Sequence, residues 1–322
     1  MVLRLPDKWV WDFWFVRHNE AYHLFYLQAP RALGDPALRH WNATIGHAVS
    51  IDCRDWRVLP DALHPGAPGS WDDLATWTGS AIGHGSQWYM LYTGISRAEE
   101  GLVQRIGLAM SHDLVNWSKY DHNPVLEADP RWYETLGHGR SRDQAWRDPW
   151  VFQHPDDSGF HALITARSPL GLPDGAGVLA QARSSNLIHW EVLPPLTEPG
   201  DFAQVEVAQL VQMDGHYTIL FSCNARDHSA ARVDRLGLSG RAGTFTFSAK
   251  DFAGPYRPSR GPVSGDGGTL GTLYAGKLLE LEPGQYSFMA FRGDGDQQFL
   301  GELTEPLVVE RDGEGGITVL TP

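Results

Sequence analysis

Three carboxylates stand at matching points of a repeat. Asp12 lies ten residues before Tyr22, Asp148 twelve before Phe160 and Glu206 eleven before Tyr217, and each of those aromatics opens an alternating stretch. Asp12 sits in Trp9-Val-Trp11-Asp12-Phe13-Trp14 and Glu206 in Val205-Glu206-Val207-Ala208. Charge on such apolar segments is costly unless it is paired or used. Burial and mutual repulsion push the pKa values of neighbouring carboxyls apart, which lets an acid and a base coexist at one pH. One carboxylic acid to protonate a leaving oxygen, and a second carboxylate to attack an anomeric carbon or activate water, are the equipment of glycoside hydrolysis. A third can hold the sugar, and aromatic faces present apolar surface to its ring. Taken singly, each residue has a plainer reading. Asp148 follows Arg147 and precedes Pro149, as in an ion pair that shapes a turn, and Asp12 could cap a turn near the chain start. Their common phase favours catalysis.

The elements that must position them also repeat. The aromatic-led stretches begin at Tyr22, Tyr89, Phe160, Tyr217 and Tyr286, at steps of 67, 71, 57 and 69 residues. Turn formers precede most of them: Gly85-Ser86, Asp157-Ser158-Gly159, Asp214-Gly215 and Pro283-Gly284. These are hairpin signals between strands of period two. A second motif, Ser-x-Asp/Asn followed by Trp, recurs at Ser50, Ser111 and Ser184, with a degraded copy at Ser248. About 65 residues per unit, short strands and scarce helical periodicity predict an all-β fold. The expected form is a five-bladed β-propeller with four antiparallel strands per blade, and residues 1–322 are expected to form one catalytic domain. A β-sandwich is the alternative. The inner strand of each blade lines the axis, so Asp12, Asp148 and Glu206 face one central funnel. Blade two offers Thr78-Gly79-Ser80 in that phase and blade five Leu273-Tyr274-Ala275. The last strand, 316–320, is expected to close the ring against blade one.

Composition narrows the partners. A chain of 322 residues with 42% hydrophobic and 20% charged residues folds. A net charge of −13 disfavours nucleic acid and anionic membranes, leaving neutral ligands. Two cysteines, Cys53 and Cys223, build neither a disulfide framework nor a cysteine-based zinc site. No metal or other cofactor is expected, and His47, His64 and His84 read as surface or core residues. No apolar run approaches a membrane span of roughly 18 residues. The N-terminal stretch does not read as a signal peptide, so a cytoplasmic location is expected, as monomer or homodimer. The Gly265–Gly268 and Gly293–Gln297 segments read as turns, and Asp72-Asp73 as a solvated acidic turn or one shaping a loop over the pocket.

At the carboxylates the chain resembles the glycoside hydrolase family 32 catalytic domain, and more loosely families 68 and 43. Trp9–Phe15 aligns with W-M-N-D-P-N-G, Tyr22–Gln28 with Y-H-L-F-Y-Q, and Trp77–Ala81 with F-S-G-S-A. Ile45–Asp52 resembles W-G-H-A-x-S-x-D, Trp146–Pro149 resembles F-R-D-P, and Val205–Leu210 resembles W-E-C-P-D-L. The resemblance implies a retaining enzyme acting on a small β-fructofuranoside, with fructosyl transfer when a sugar intercepts the intermediate. It implies Asp12 as nucleophile, Asp148 as transition-state stabiliser and Glu206 as acid and then base. Gln28, Trp11, Trp77, Ser80, Arg147 and Trp14 would bind the sugar. Asn, Pro and Asn of the first motif are here Trp11, Phe13 and Trp14, and Cys, Pro and Asp of the last are Val207, Ala208 and Gln209. These departures touch the identity of the sugar more than the chemistry. The chain is also expected to lack the C-terminal β-sandwich usual in family 32, which favours a small saccharide over a polymer. Two other readings stay open at this level: a family 43-like inverting arabinofuranosidase or xylosidase, and an inactive sugar-binding propeller.

Overall fold

The computed structural model describes residues 2–154, 159–237, 240–265, 270–294 and 298–321. The Asp157–Ser158 part of one predicted turn, and most of the glycine-rich turns after Gly265 and Asp294, lie outside the described residues. The strands form five sheets. Blade one holds β1 (Lys8–His18), β2 (Ala21–Pro30), β3 (Thr44–Ser50) and β4 (Arg57–Leu63). Blade two holds β5 (Ala75–His84), β6 (Gln87–Ile95), β7 (Gln104–Ser111) and β8 (Ser118–Lys119). Blade three holds β9 (Trp146–Gln153), β10 (Phe160–Arg167), β11 (Gly177–Ser184) and β12 (Glu191–Leu193). Blade four holds β13 (Glu206–Met213), β14 (His216–Cys223), β15 (Gly243–Ala249) and β16 (Arg257–Pro258). Blade five holds β17 (Thr272–Glu282), β18 (Gln285–Asp294), β19 (Gln298–Leu303), β20 (Leu307–Arg311) and β21 (Ile317–Val319). All pairings within the sheets are antiparallel. Around the axis β1 packs on β5, β5 on β9, β9 on β13, β13 on β17, and β17 back on β1.

Both sequence repeats have physical counterparts. The aromatic-led stretches are the second strand of every blade. One two-residue hairpin pairs Met213 with His216 across Asp214 and Gly215, both at positive φ (51° and 73°), the geometry that matches strand twist. The Ser-x-Asp motif closes the third strand onto the fourth. Asp113 Oδ1 accepts from the amides of Val115 (2.9 Å) and Asn116 (2.7 Å), Leu114 takes φ +64°, and Trp117 Nε1 donates to the Leu114 carbonyl at 2.9 Å. Asn186 and Trp190 repeat this in blade three. In the degraded fourth copy Ser248 instead donates to the Gly315 carbonyl at 2.8 Å, tying blade four to the final hairpin of blade five.

Ring closure differs from expectation. The last strand, β21, pairs with β20 as the outer edge of blade five, and the Val319 amide donates to the Val263 carbonyl. The link to blade one comes from the other end: Leu3 bridges Leu303 of β19, and Arg31 donates to the carbonyls of Leu300 (3.1 Å) and Gly301 (3.2 Å). A Cβ on Gly301 would stand 2.5 Å from the Trp9 ring, so this seam needs glycine there.

Adjacent blades are clasped by buried side chains at equivalent points of the inner strands. Ser80 on β5 donates to the Pro149 carbonyl (2.6 Å) and accepts from the Val151 amide (2.8 Å) of blade three. Gln209 on β13 donates to the Leu278 carbonyl (2.9 Å) and accepts from its amide (2.7 Å) in blade five. Ser80→Ala strands two buried main-chain groups, a loss of about 1–3 kcal/mol that a shift of the urea midpoint would register. KM should not change; a large rise would return Ser80 to the sugar.

Asp72 and Asp73 are not a solvated turn. Asp72 is buried against Lys119 (2.5 Å) and the Tyr92 hydroxyl (2.9 Å), while Asp73 accepts from the amides of Gly69 and Arg97 (both 2.8 Å). They shape a loop, but one outside the central cavity. His47 is buried and stacked on Phe25, and both cysteines are free and buried.

Candidate active site

Every inner strand breaks its register at the phase in which the carboxylates stand. The shifts fall between Trp11 and Phe13, Trp77 and Gly79, Arg147 and Trp150, Glu206 and Gln209, and Tyr274 and Lys277. A bulge turns a side chain out of the strand alternation and toward the axis. Three bulge residues take positive φ: Asp148 (57°), Val207 (54°) and Ala275 (53°). Such angles are rare for non-glycine residues and persist where surrounding bonds hold them. Here neighbouring blades do so. The Asp148 amide donates to Thr93 Oγ1 (3.0 Å), the Val207 amide to Asp148 Oδ2 (3.2 Å) and the Ala275 amide to Ser222 Oγ (2.8 Å).

The result is an axial cavity of about 560 Å³ into which Asp12, Asp148 and Glu206 project from three blades. Thr78 donates to Asp12 at 2.8 Å, and Thr165 donates to Asp148 at 3.0 Å. Arg147 joins the other two carboxylates, 3.5 Å from Asp148 and 2.6 Å from Glu206. The second oxygen of Glu206 accepts the Tyr274 hydroxyl. The Asp148–Arg147 ion pair is therefore real, but it is part of a larger cluster rather than a turn device.

Electrostatics follow from crowding. Burial, reinforced by Asp148 and Glu206, pushes Asp12 up to about 7, against the pull of Thr78 and Arg39. Burial likewise raises Asp148, opposed by Arg147 and by its bonds from Thr165 and Val207. Burial would lower the Arg147 guanidinium, but Glu206, Asp148 and Asp143 outweigh it, so it stays charged. Burial and Glu206 lift Tyr274 well above an ordinary phenol, which keeps it a donor. Between its ordinary value of 3.8 and about 7, Asp12 binds a proton when folded that it lacks when unfolded. Its contribution to stability therefore falls as pH rises through that window. Asp12→Asn removes the titration, so the variant should melt on the order of 5 °C above wild type at pH 8 and show no such gain at pH 4. Melting curves at the two pH values decide it.

Of the six expected sugar contacts, Trp11, Trp77 and Arg147 line the cavity. Trp14, Gln28 and Ser80 do not. Trp14 is fully buried lower on β1 and stacks on its cross-strand partner Phe25, ring centroids 6.1 Å apart. Two residues further along a strand is about 7 Å deeper, below the cavity floor. Gln28 belongs to β2, one strand out from the axis, and donates to Thr44 Oγ1 at 3.2 Å. Ser80 is the clasp described above.

Tyr274 and Thr78, in the segments that the repeat assigns to this phase in blades five and two, hydrogen-bond the carboxylates themselves. The structure also adds residues that sequence reasoning missed. Arg39, His40 and Trp41 come from a 3-10 helix, Pro36–Asn42, between β2 and β3, where no periodicity marks them. The Arg39 guanidinium lies 4.0 Å over the Phe299 ring and 5.6 Å over Trp11. The Trp77 indole N–H donates to the His40 carbonyl at 2.7 Å, which fixes that turn over the cavity.

Comparison with known proteins places this geometry. Residues 8–259 match the model for the glycosyl hydrolases family 32 N-terminal domain. An insoluble β-fructofuranosidase isoenzyme 7 of Oryza sativa subsp. japonica is 32% identical over 298 residues, 87% of this chain and 46% of that protein. An acid β-fructofuranosidase of Solanum lycopersicum is 40% identical over 186 residues, covering 55% of this chain and 25% of that protein. The chain thus spans about half, or less, of the length of these relatives. Among solved structures, an inulosucrase from Halalkalicoccus jeotgali bound to kestose superposes with a TM-score of 0.81 at 23% identity, covering 98% of this chain and 87% of that one. That likeness speaks for the fold.

Proposed function

The chain belongs to glycoside hydrolase family 32, and from that premise we propose that it cleaves small β-fructofuranosides by double displacement, with transfer to a sugar acceptor competing with hydrolysis. The observation that carries this reading is the convergence of Asp12, Asp148 and Glu206 on one cavity walled by Trp11, Trp77 and Phe299. Names of relatives support it, since the two Oryza sativa proteins matched over 87% of this chain are named β-fructofuranosidases.

In the first step a carboxylate oxygen of Asp12 attacks the anomeric carbon while Glu206 gives its proton to the glycosidic oxygen. The bond to the leaving sugar breaks and a fructosyl ester forms on Asp12. Glu206, now ionised, takes a proton from water, whose oxygen displaces Asp12 and restores the acid. Asp148 and Arg147 hold ring hydroxyls as positive charge develops on the sugar. The step requires Glu206 to carry the proton and Asp12 to be ionised. Arg147 must release Glu206 for that, and sugar hydroxyls offer the competing acceptors. The turn carrying Arg39, His40 and Trp41 narrows the mouth, which favours short saccharides over polymers.

Incubation with sucrose, kestose, inulin, levan and aryl α-L-arabinofuranosides, read by anion-exchange chromatography against Asp12→Asn, tests the substrate. Fructose or fructosyl transfer products from the short fructosides, absent in the variant, are expected; arabinose alone would overturn the reading. NMR of the first anomer released should show retention.

A further inference from the structure

Beneath the carboxylates lies a charge that the mechanism above does not use. Lys277, on β17 just past the blade-five bulge, is 2% exposed. Its amine donates to the carbonyls of Val207 (2.6 Å) and Ala208 (3.1 Å), the two residues that follow Glu206, and lies 5.4 Å from the Trp150 ring centroid. Burying a lysine this deeply is unfavourable, and a purely structural tie between blades needs no charge: Gln209 makes one with an amide. What Lys277 grips is the strained point of the site. Val207 is β-branched and held at φ +54°, its amide donates to Asp148, and its backbone aims Glu206.

We propose that Lys277 is a positioning residue, whose buried amine clamps the Val207–Ala208 backbone so that Glu206 points at the sugar and Asp148 keeps its main-chain donor. Its positive form also favours the ionised forms of Asp12 and Asp148. Of the charged and titratable groups of the cavity, Asp12 on β1 and Asp148 on β9 act on Lys277 directly, and Arg147 on β9, Glu206 on β13 and Tyr274 on β17 line the same cavity. Burial lowers the Lys277 pKa to about 7, and Asp12 and Asp148 pull it back up. That coupling is reciprocal, so removing the cation raises the proton affinity of both aspartates.

The inference rests on the fructosidase reading for its kinetic part only. Lys277→Met removes both hydrogen bonds and the charge, while Lys277→Gln keeps an amide donor without the charge. Loss of alignment at Glu206 is expected to lower kcat about 100-fold in the methionine variant and about 10-fold in the glutamine variant, with KM within about twofold of wild type. Independently of any substrate, carbon-13 NMR of carboxyl-labelled aspartate, assigned with Asp148→Asn and Asp12→Asn, should show both titrations moved to higher pH in either variant. If Lys277→Met does not fold, Lys277→Gln carries the test. Unmoved aspartate titrations with kcat intact, whatever the melting temperature, would overturn the proposal. Moved titrations in a protein that turns over no fructoside would sustain it and sink the functional reading instead.

Discussion

Asp12→Asn is expected to abolish turnover, with kcat falling on the order of 10,000-fold or more while the protein stays folded. Asn is nearly isosteric and can still accept the Thr78 hydroxyl that reaches Asp12 at 2.8 Å. It cannot form a carboxylic ester, so the covalent intermediate is lost outright rather than weakened. Removing the nucleophile of a concerted catalytic set typically costs about this much, because its partners have no second route. Binding should survive, since Asp148, Arg147 and the aromatic wall are untouched. Titration calorimetry with sucrose or kestose would show a Kd within a few-fold of the wild-type KM. Activity above about one hundredth of wild type would remove Asp12 from the nucleophile's role.

Glu206→Gln should produce the second largest effect, and a more diagnostic one. General acid–base catalysis contributes about 100- to 10,000-fold, so natural fructosides should slow by that range. The loss depends on the leaving group. An aryl fructoside departs with little protonation and should regain most of the first step, leaving the second step slow and a fructosyl ester detectable by mass spectrometry of the intact protein. The mutation also removes the anion that Arg147 reaches at 2.6 Å and that raises Tyr274, which leaves Arg147 with Asp148, Gln104 and Gln204. A sugar-binding protein without catalysis would keep its affinity and show no dependence on the leaving group. Equal slowing of aryl and natural substrates would take the acid role from Glu206.

Much of this was legible from residue types and spacing. Tyr22, Tyr89, Phe160, Tyr217 and Tyr286 locate the second strand of each blade because a propeller strand must alternate inward and outward residues. Ser50, Ser111 and Ser184 mark the turns because an Asx carboxylate or amide can cap two amides only in that geometry. Asp12, Asp148 and Glu206 stood out because charge in an apolar run has few explanations. Trp14, Gln28 and Ser80 misled because a sequence motif conveys adjacency along the chain, not depth along a strand or distance from the axis. The seam at Leu3 and β19 could not be seen, since a single antiparallel bridge and an arginine on two carbonyls leave no period.

Sequence alone thus determined the number of blades and the common phase of Asp12, Asp148 and Glu206, both of which are written in local repeats. Only the tertiary structure decided what faces the cavity, because the bulges that redirect each inner strand are held by residues of neighbouring blades. Thr93 holds Asp148, Asp148 holds Val207, and Ser222 holds Ala275. Lys277 belongs to the same order of information: about 70 residues of chain separate its amine from the carbonyls it grips, and only ring closure brings them together.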